Sequence, residues 1–122
     1  MIITIDYIKD AGIIDKERIV FSVKEDGQLG KYLIAESNTI DDSRFSAKIK
    51  NPFWFPDKDV KAGDLVILYT KEGSTNTVSN EDGSHLYFFY WGLKESHLSI
   101  DNACVVLFES SWKVSSVPKL DE

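Results

Sequence analysis

Apolar and polar residues alternate along this chain in short runs separated by turn chemistry. The runs are Ile2 to Ile8, Arg18 to Val23, Tyr32 to Ala35, Phe45 to Ile49, Leu65 to Thr70, His85 to Trp91, Ala103 to Phe108 and Trp112 to Val117. Between them fall Asp10-Ala11-Gly12, Glu25-Asp26-Gly27-Gln28, Asn38 to Asp42, Lys61-Ala62-Gly63-Asp64 and Glu81-Asp82-Gly83. These residues tolerate positive φ or hydrogen-bond their own backbone. Helical periodicity is broken everywhere by glycine or β-branched clusters, so at most one short helical turn is expected. Within Ile19 to Val23 the residues Ile19, Phe21 and Val23 share a face, and Phe45, Ala47 and Ile49 do so against Ser46, Lys48 and Lys50. Leu65 to Tyr69 and Leu86 to Trp91 are instead apolar on both faces. Such strands lie centrally with both sides covered, or they present an aromatic stripe to a partner. The polar stretch from Gly73 to Ser84 predicts a mobile loop.

Composition supports strands. Valine, isoleucine and threonine supply 26 of the 122 residues, against 14 from alanine and leucine. The length suits one domain, placed at 1–117 with a short C-terminal tail at 118–122. Strand counting predicts an all-β sandwich of about seven to nine mostly antiparallel strands. Fourteen basic and 20 acidic residues leave a net charge of −6, which disfavours binding to nucleic acid or to anionic membrane surfaces. No apolar run approaches the roughly 20 residues that span a bilayer, and the opening residues lack the basic region of a signal peptide. A cytoplasmic protein is expected. The single cysteine, Cys104, can form no internal disulfide and cannot by itself build a thiolate zinc site.

The order of the segments carries a family resemblance. Ile3-Thr4-Ile5-Asp6-Tyr7-Ile8, then Gly12, then Glu17 to Val23 form two strands around a glycine turn. Leu29-Gly30-Lys31-Tyr32-Leu33-Ile34 follows a polar turn. Phe53-Trp54-Phe55-Pro56-Asp57 precedes Val60-Lys61-Ala62-Gly63-Asp64 and the apolar Leu65 to Tyr69. With an aromatic strand ending at Trp91 and an apolar one from Cys104 to Phe108, the pattern resembles the lamin-tail domain over roughly residues 1–117. It departs from that family by having Gly30-Lys31-Tyr32 where a glycine-tryptophan pair is usual. The resemblance implies an immunoglobulin-like β-sandwich that docks protein, or sometimes nucleic acid, and carries no catalytic residues.

Candidate chemistry is sparse. Gly27-Gln28-Leu29-Gly30-Lys31 lacks Walker spacing and reads as a hairpin turn. Asp57, Asp59 and Asp64 crowd one turn without the calcium-loop pattern. His85 and His97 read as solvated loop residues, and Cys104 as core packing, since an apolar setting suppresses its thiolate. No enzyme, cofactor or metal is therefore expected. Attention falls on aromatics. Prolines at both ends of Pro52 to Pro56 suggest an edge strand or a crossing loop. If Phe53 and Phe55 enter the core, as the resemblance implies, Trp54 lies outside as an interface anchor; alternatively it packs beneath a loop. Tyr87 and Phe89 pose the same choice, and with Trp54 they form the expected binding set, whereas Trp91 is expected in the core. The expected partner is another protein or a second copy in a homodimer. The alternative is a small acidic inhibitor or immunity-type protein that blocks a basic surface, although its acids are spread among lysines instead of grouped.

Overall fold

Two β-sheets face each other across one apolar core in the computed structural model, which describes residues 1–118 and 120. Ten strands occur among the described residues: β1 (Ile3–Lys9), β2 (Arg18–Val23), β3 (Gly27–Gln28), β4 (Tyr32–Asn38), β5 (Lys50–Trp54), β6 (Asp59–Val60), β7 (Leu65–Tyr69), β8 (Asn76–Ser79), β9 (His85–Tyr90) and β10 (Ala103–Glu109). One 3-10 turn, Leu29–Lys31, is the helical content of the described residues. The larger sheet runs β1-β2-β7-β9-β8, the smaller β10-β4-β5, and β3 pairs with β6 alone. All ladders are antiparallel except β7 with β9. That parallel pair arises because the chain leaving β7 first forms β8 at the sheet edge, then turns back through Asn80–Ser84 so that β9 slots between them.

Period-two alternation directs the core. Ile3, Ile19, Phe21, Val23, Val66, Leu68, Tyr87 and Phe89 point inward from the large sheet, against Tyr32 and Ile34 from β4 and Phe55 just beyond β5. Phe55 makes edge-on contacts with Phe21, Phe53 and Phe89 at centroid distances of 5.6, 5.2 and 5.4 Å. The Tyr32 hydroxyl accepts from the Ile2 amide at 2.9 Å and donates to Glu109. Burial and that carboxylate push its pKa up to about 12.

Several expectations need correction. The count is ten strands, because the two-residue pair β3–β6 is too short to carry a hydrophobic pattern. Phe45 to Ile49 is not a strand: Phe45 makes one isolated bridge to Thr39, and the ladder starts at Lys50. Trp112 to Val117 forms no strand, and Val114 and Val117 stand in solvent. The loop expected from Gly73 to Ser84 contains β8, held by the β9 backbone in spite of its polar sequence. Gly27 to Lys31 is no hairpin turn but β3 followed by the 3-10 turn, where a side chain at Gly30 would strike Asp57. Pro52 does lie on an edge strand, as its missing N–H requires. Of the expected tail at 118–122, Lys119, Asp121 and Glu122 lie outside the described residues.

Candidate functional site

Inward alternation on the large sheet leaves the opposite face to be read from the register. Tyr7 pairs with Val20, Val20 with Ile67, and Ile67 with Phe88. Ser22, Leu65, Leu86 and Val78 make the next row, while Lys9, Arg18, Tyr69 and Tyr90 make the row on the other side. A bulge at Asp6–Tyr7 reverses the inside–outside alternation of β1 and so brings Tyr7 onto this face, with the Asp6 carboxylate accepting from Ser22 Oγ. The result is an apolar face outside the core. Tyr7 and Val78 are exposed, and Leu65, Leu86, Phe88, Tyr69 and Tyr90 are half-buried, while Val20 and Ile67 lie buried in the middle beneath their neighbours. Tyr69 and Tyr90 stack at 5.5 Å with an interplanar angle of 11°. Arg18 and Lys71 lie over the Tyr69 ring at 5.7 and 5.1 Å, and Arg18 is also ion-paired with Asp10 at 3.0 Å, so that end is aromatic with mixed charge. Gly73 permits the approach, since a Cβ there would sit 2.3 Å from the Tyr90 ring.

The sequence-derived binding residues divide. Trp54 is 48% exposed, on the outer face of the small sheet, where its Nε1 donates to the Gly30 carbonyl at 2.6 Å and its ring meets Trp112 edge-on at 4.5 Å. Tyr87 and Phe89 are 7% and 4% exposed and belong to the core, so neither offers an anchor. The reason is parity: Leu86, Phe88 and Tyr90 take the outer face of β9. Trp91 is partly buried against the core, and its indole N–H donates to the Asn51 carbonyl at 2.7 Å.

A second feature is a cleft of about 170 Å³ at one end of the sandwich, lined by residues that include Glu36, Lys50, Asn51, His97 and Cys104. Between Ile34 and Glu36 the register of β4 with β5 slips, and Asn51 adopts a left-handed φ of 49°. Its Nδ2 thereby donates to Glu36 Oε1 at 2.7 Å. His97, from the connection at residues 91–102, brings Nδ1 to 3.1 Å from the same oxygen and Nε2 to 3.4 Å from Glu95. His97 is therefore not a freely solvated loop residue. That connection is itself clamped by the buried Glu17 carboxylate, which accepts from Ser96 Oγ, Thr70 Oγ1 and the Gly12 amide.

The hydrogen bond to Glu36, the largest cause, with the charges of Glu36 and Glu95, raises the His97 pKa. A raised folded value means that the ion pair stabilises fully below the unfolded histidine pKa of about 6.5 and is lost as pH rises through the folded value. In an NMR titration the His97 ring should show a midpoint above the ordinary range, and Glu36→Gln should bring it down. An unchanged midpoint in that variant contradicts the pairing. Burial pushes the Cys104 thiol pKa up, which opposes a nucleophilic role in this cleft.

The other motifs are used in turns. Asp64, buried, accepts from the amides of Lys61 and His85, both at 2.9 Å, while Asp59 accepts from Gln28, so the acids near residue 60 are directed to separate partners. His85 stacks on Tyr87. Among the described residues no three His, Cys, Asp or Glu side chains gather as a metal site, and no helix is long and apolar enough to cross a membrane. Neither a protein-family model nor a curated protein matches this chain.

Proposed function

We propose that this chain is a cytoplasmic, noncatalytic protein-binding domain, an immunoglobulin-like sandwich of the lamin-tail kind, and that it binds through the outer face of its five-stranded sheet. One observation carries the reading: Tyr7, Leu65, Tyr69, Val78, Leu86, Phe88 and Tyr90 are at least partly exposed on one face around buried Val20 and Ile67. Contiguous apolar surface of this kind is characteristic of interfaces, and tyrosine supplies large contact area at low entropic cost. The partner implied by the chemistry is a protein with an apolar centre and an acidic group facing Lys71. The net charge of −6 and the acids beside Lys and Arg on this chain's surface favour this reading over phosphate binding.

The test is a photoreactive phenylalanine analogue placed at position 88, with position 54 as the comparison. Crosslinks to one partner should form from position 88. Phe88→Ala should then weaken that partner's affinity by about 2 kcal/mol or more, as truncation of a central aromatic does, while Trp54→Ala leaves it near wild type. Crosslinking and loss of affinity at position 54 alone would assign binding to the tryptophan pair instead.

A further inference from the structure

The smaller sheet ends on β10, and the four principal sheet edges differ in how they are protected. On β1 the edge carries the bulge at Asp6–Tyr7 and ends in Lys9. On β5 it carries Pro52, Lys50 and a register slip, and β8 is four residues long and polar. Bulges, prolines, charges and shortness are the devices by which proteins prevent unwanted strand pairing. By contrast β10 reads Ala-Cys-Val-Val-Leu-Phe-Glu, pairs with β4 in unbroken register over seven residues, and has no charge before Glu109. Among the described residues the following chain does not cover it, because Trp112 packs toward Trp54 on β5, across the sheet, while the loop from Asp41 to Phe45 lines an open groove beside Cys104 to Leu107.

The backbone phase is fixed by two hydrogen bonds. Ser110 N donates to Lys31 O at 3.0 Å, and Thr39 N donates to Asn102 O at 2.8 Å. Because hydrogen-bonded pairs alternate in an antiparallel ladder, the even-numbered residues of β10 face β4 and the odd-numbered ones turn their N–H and C=O outward. The outward groups belong to Val105, Leu107 and Glu109, with the Ala103 carbonyl. We propose that this edge pairs antiparallel with β10 of a second copy about a two-fold axis at Val106, joining two three-stranded sheets into one of six. In that register Val105 meets Leu107 of the other copy in hydrogen-bonded pairs, and the two Val106 side chains meet at the axis. Glu109 then lies opposite Ala103 instead of another Glu109. An isologous arrangement of this kind closes at two copies. It uses a different surface from the outer face of the large sheet, so either can fail without the other.

Sedimentation of the purified chain should give twice the 13.8 kDa chain mass. Val106→Lys should return it to one copy that still unfolds cooperatively and whose melting temperature no longer depends on protein concentration, since two ammonium groups would meet at the axis. In a Cys104→Ser background, mild oxidation of Val106→Cys should give a disulfide-linked dimer, because the non-hydrogen-bonded pair across the axis places Cα atoms about 4.5 Å apart. Val78→Cys on the β8 edge, oxidised alongside in the same background, should form no disulfide-linked dimer. A wild-type mass of one copy at concentrations up to about 1 mM, the weak limit of specific association, overturns the proposal. So does equal crosslinking at positions 78 and 106. If Val106→Lys proves unfolded, the crosslinking pair decides.

Discussion

Phe55→Ala should lower the unfolding free energy by about 3–5 kcal/mol, the range found for emptying a core aromatic site. Phe55 lies just after β5, 2% exposed, where the small sheet meets the large one. Its ring touches Phe21 and Phe89 of the large sheet and Phe53 of the small. Neighbours on both sheets cannot collapse into the void without moving the sheets together, so little of the loss is recovered by relaxation. Chemical denaturation should show the midpoint falling with the slope preserved. A loss below about 1 kcal/mol would mean that the two sheets are not joined through this ring.

Glu17→Ala should cost on the order of 3 kcal/mol or more, through unmet hydrogen bonds instead of a void. The carboxylate is fully buried and receives the Gly12 amide at 2.7 Å, Thr70 Oγ1 at 2.8 Å and Ser96 Oγ. The buried Thr70 hydroxyl left without a partner costs about 1–3 kcal/mol, and the part-buried Gly12 amide and Ser96 hydroxyl add smaller losses. Thr70→Ala removes one of the three and should cost correspondingly less. The two variants should also differ in extent: Glu17→Ala frees both the β1–β2 turn and the connection that carries His97. Faster amide exchange should therefore appear at residues 10–14 and 92–98 in Glu17→Ala. Equal stability of the two variants would contradict a shared clamp.

How far the sequence could be read depended on where each strand found its partner. Ile19, Phe21 and Val23 alternate within one hydrogen-bonded strand, so local pattern and tertiary position agree. Phe45, Ala47 and Ile49 alternate as cleanly yet form no ladder, because Ser46 N bonds to Asn38 O and Ser37 Oγ bonds to Ser46 O, closing a compact loop. Asn76 to Ser79 shows no apolar alternation and still becomes β8, since the β9 backbone supplies what its side chains do not. The candidate face was half legible. Leu65 to Tyr69 and Leu86 to Trp91 were visibly apolar on both sides, but which parity faced the core could not be chosen without the register. Without it, alternation alone places Tyr87 and Phe89 on the surface, where the structure has Leu86, Phe88 and Tyr90. The pairing of His97 with Glu36 joins residues 61 positions apart and leaves no local signal.

The most direct measurement is an NMR titration of the isotope-labelled chain with the protein that crosslinks to position 88. Binding through the outer sheet face should shift and broaden the resonances of Tyr7, Leu65, Ile67, Tyr69, Leu86, Phe88 and Tyr90, and leave Trp54, Trp112 and His97 unmoved. Perturbations confined to Trp54 and Trp112, or to the cleft around Glu36 and His97, would contradict it.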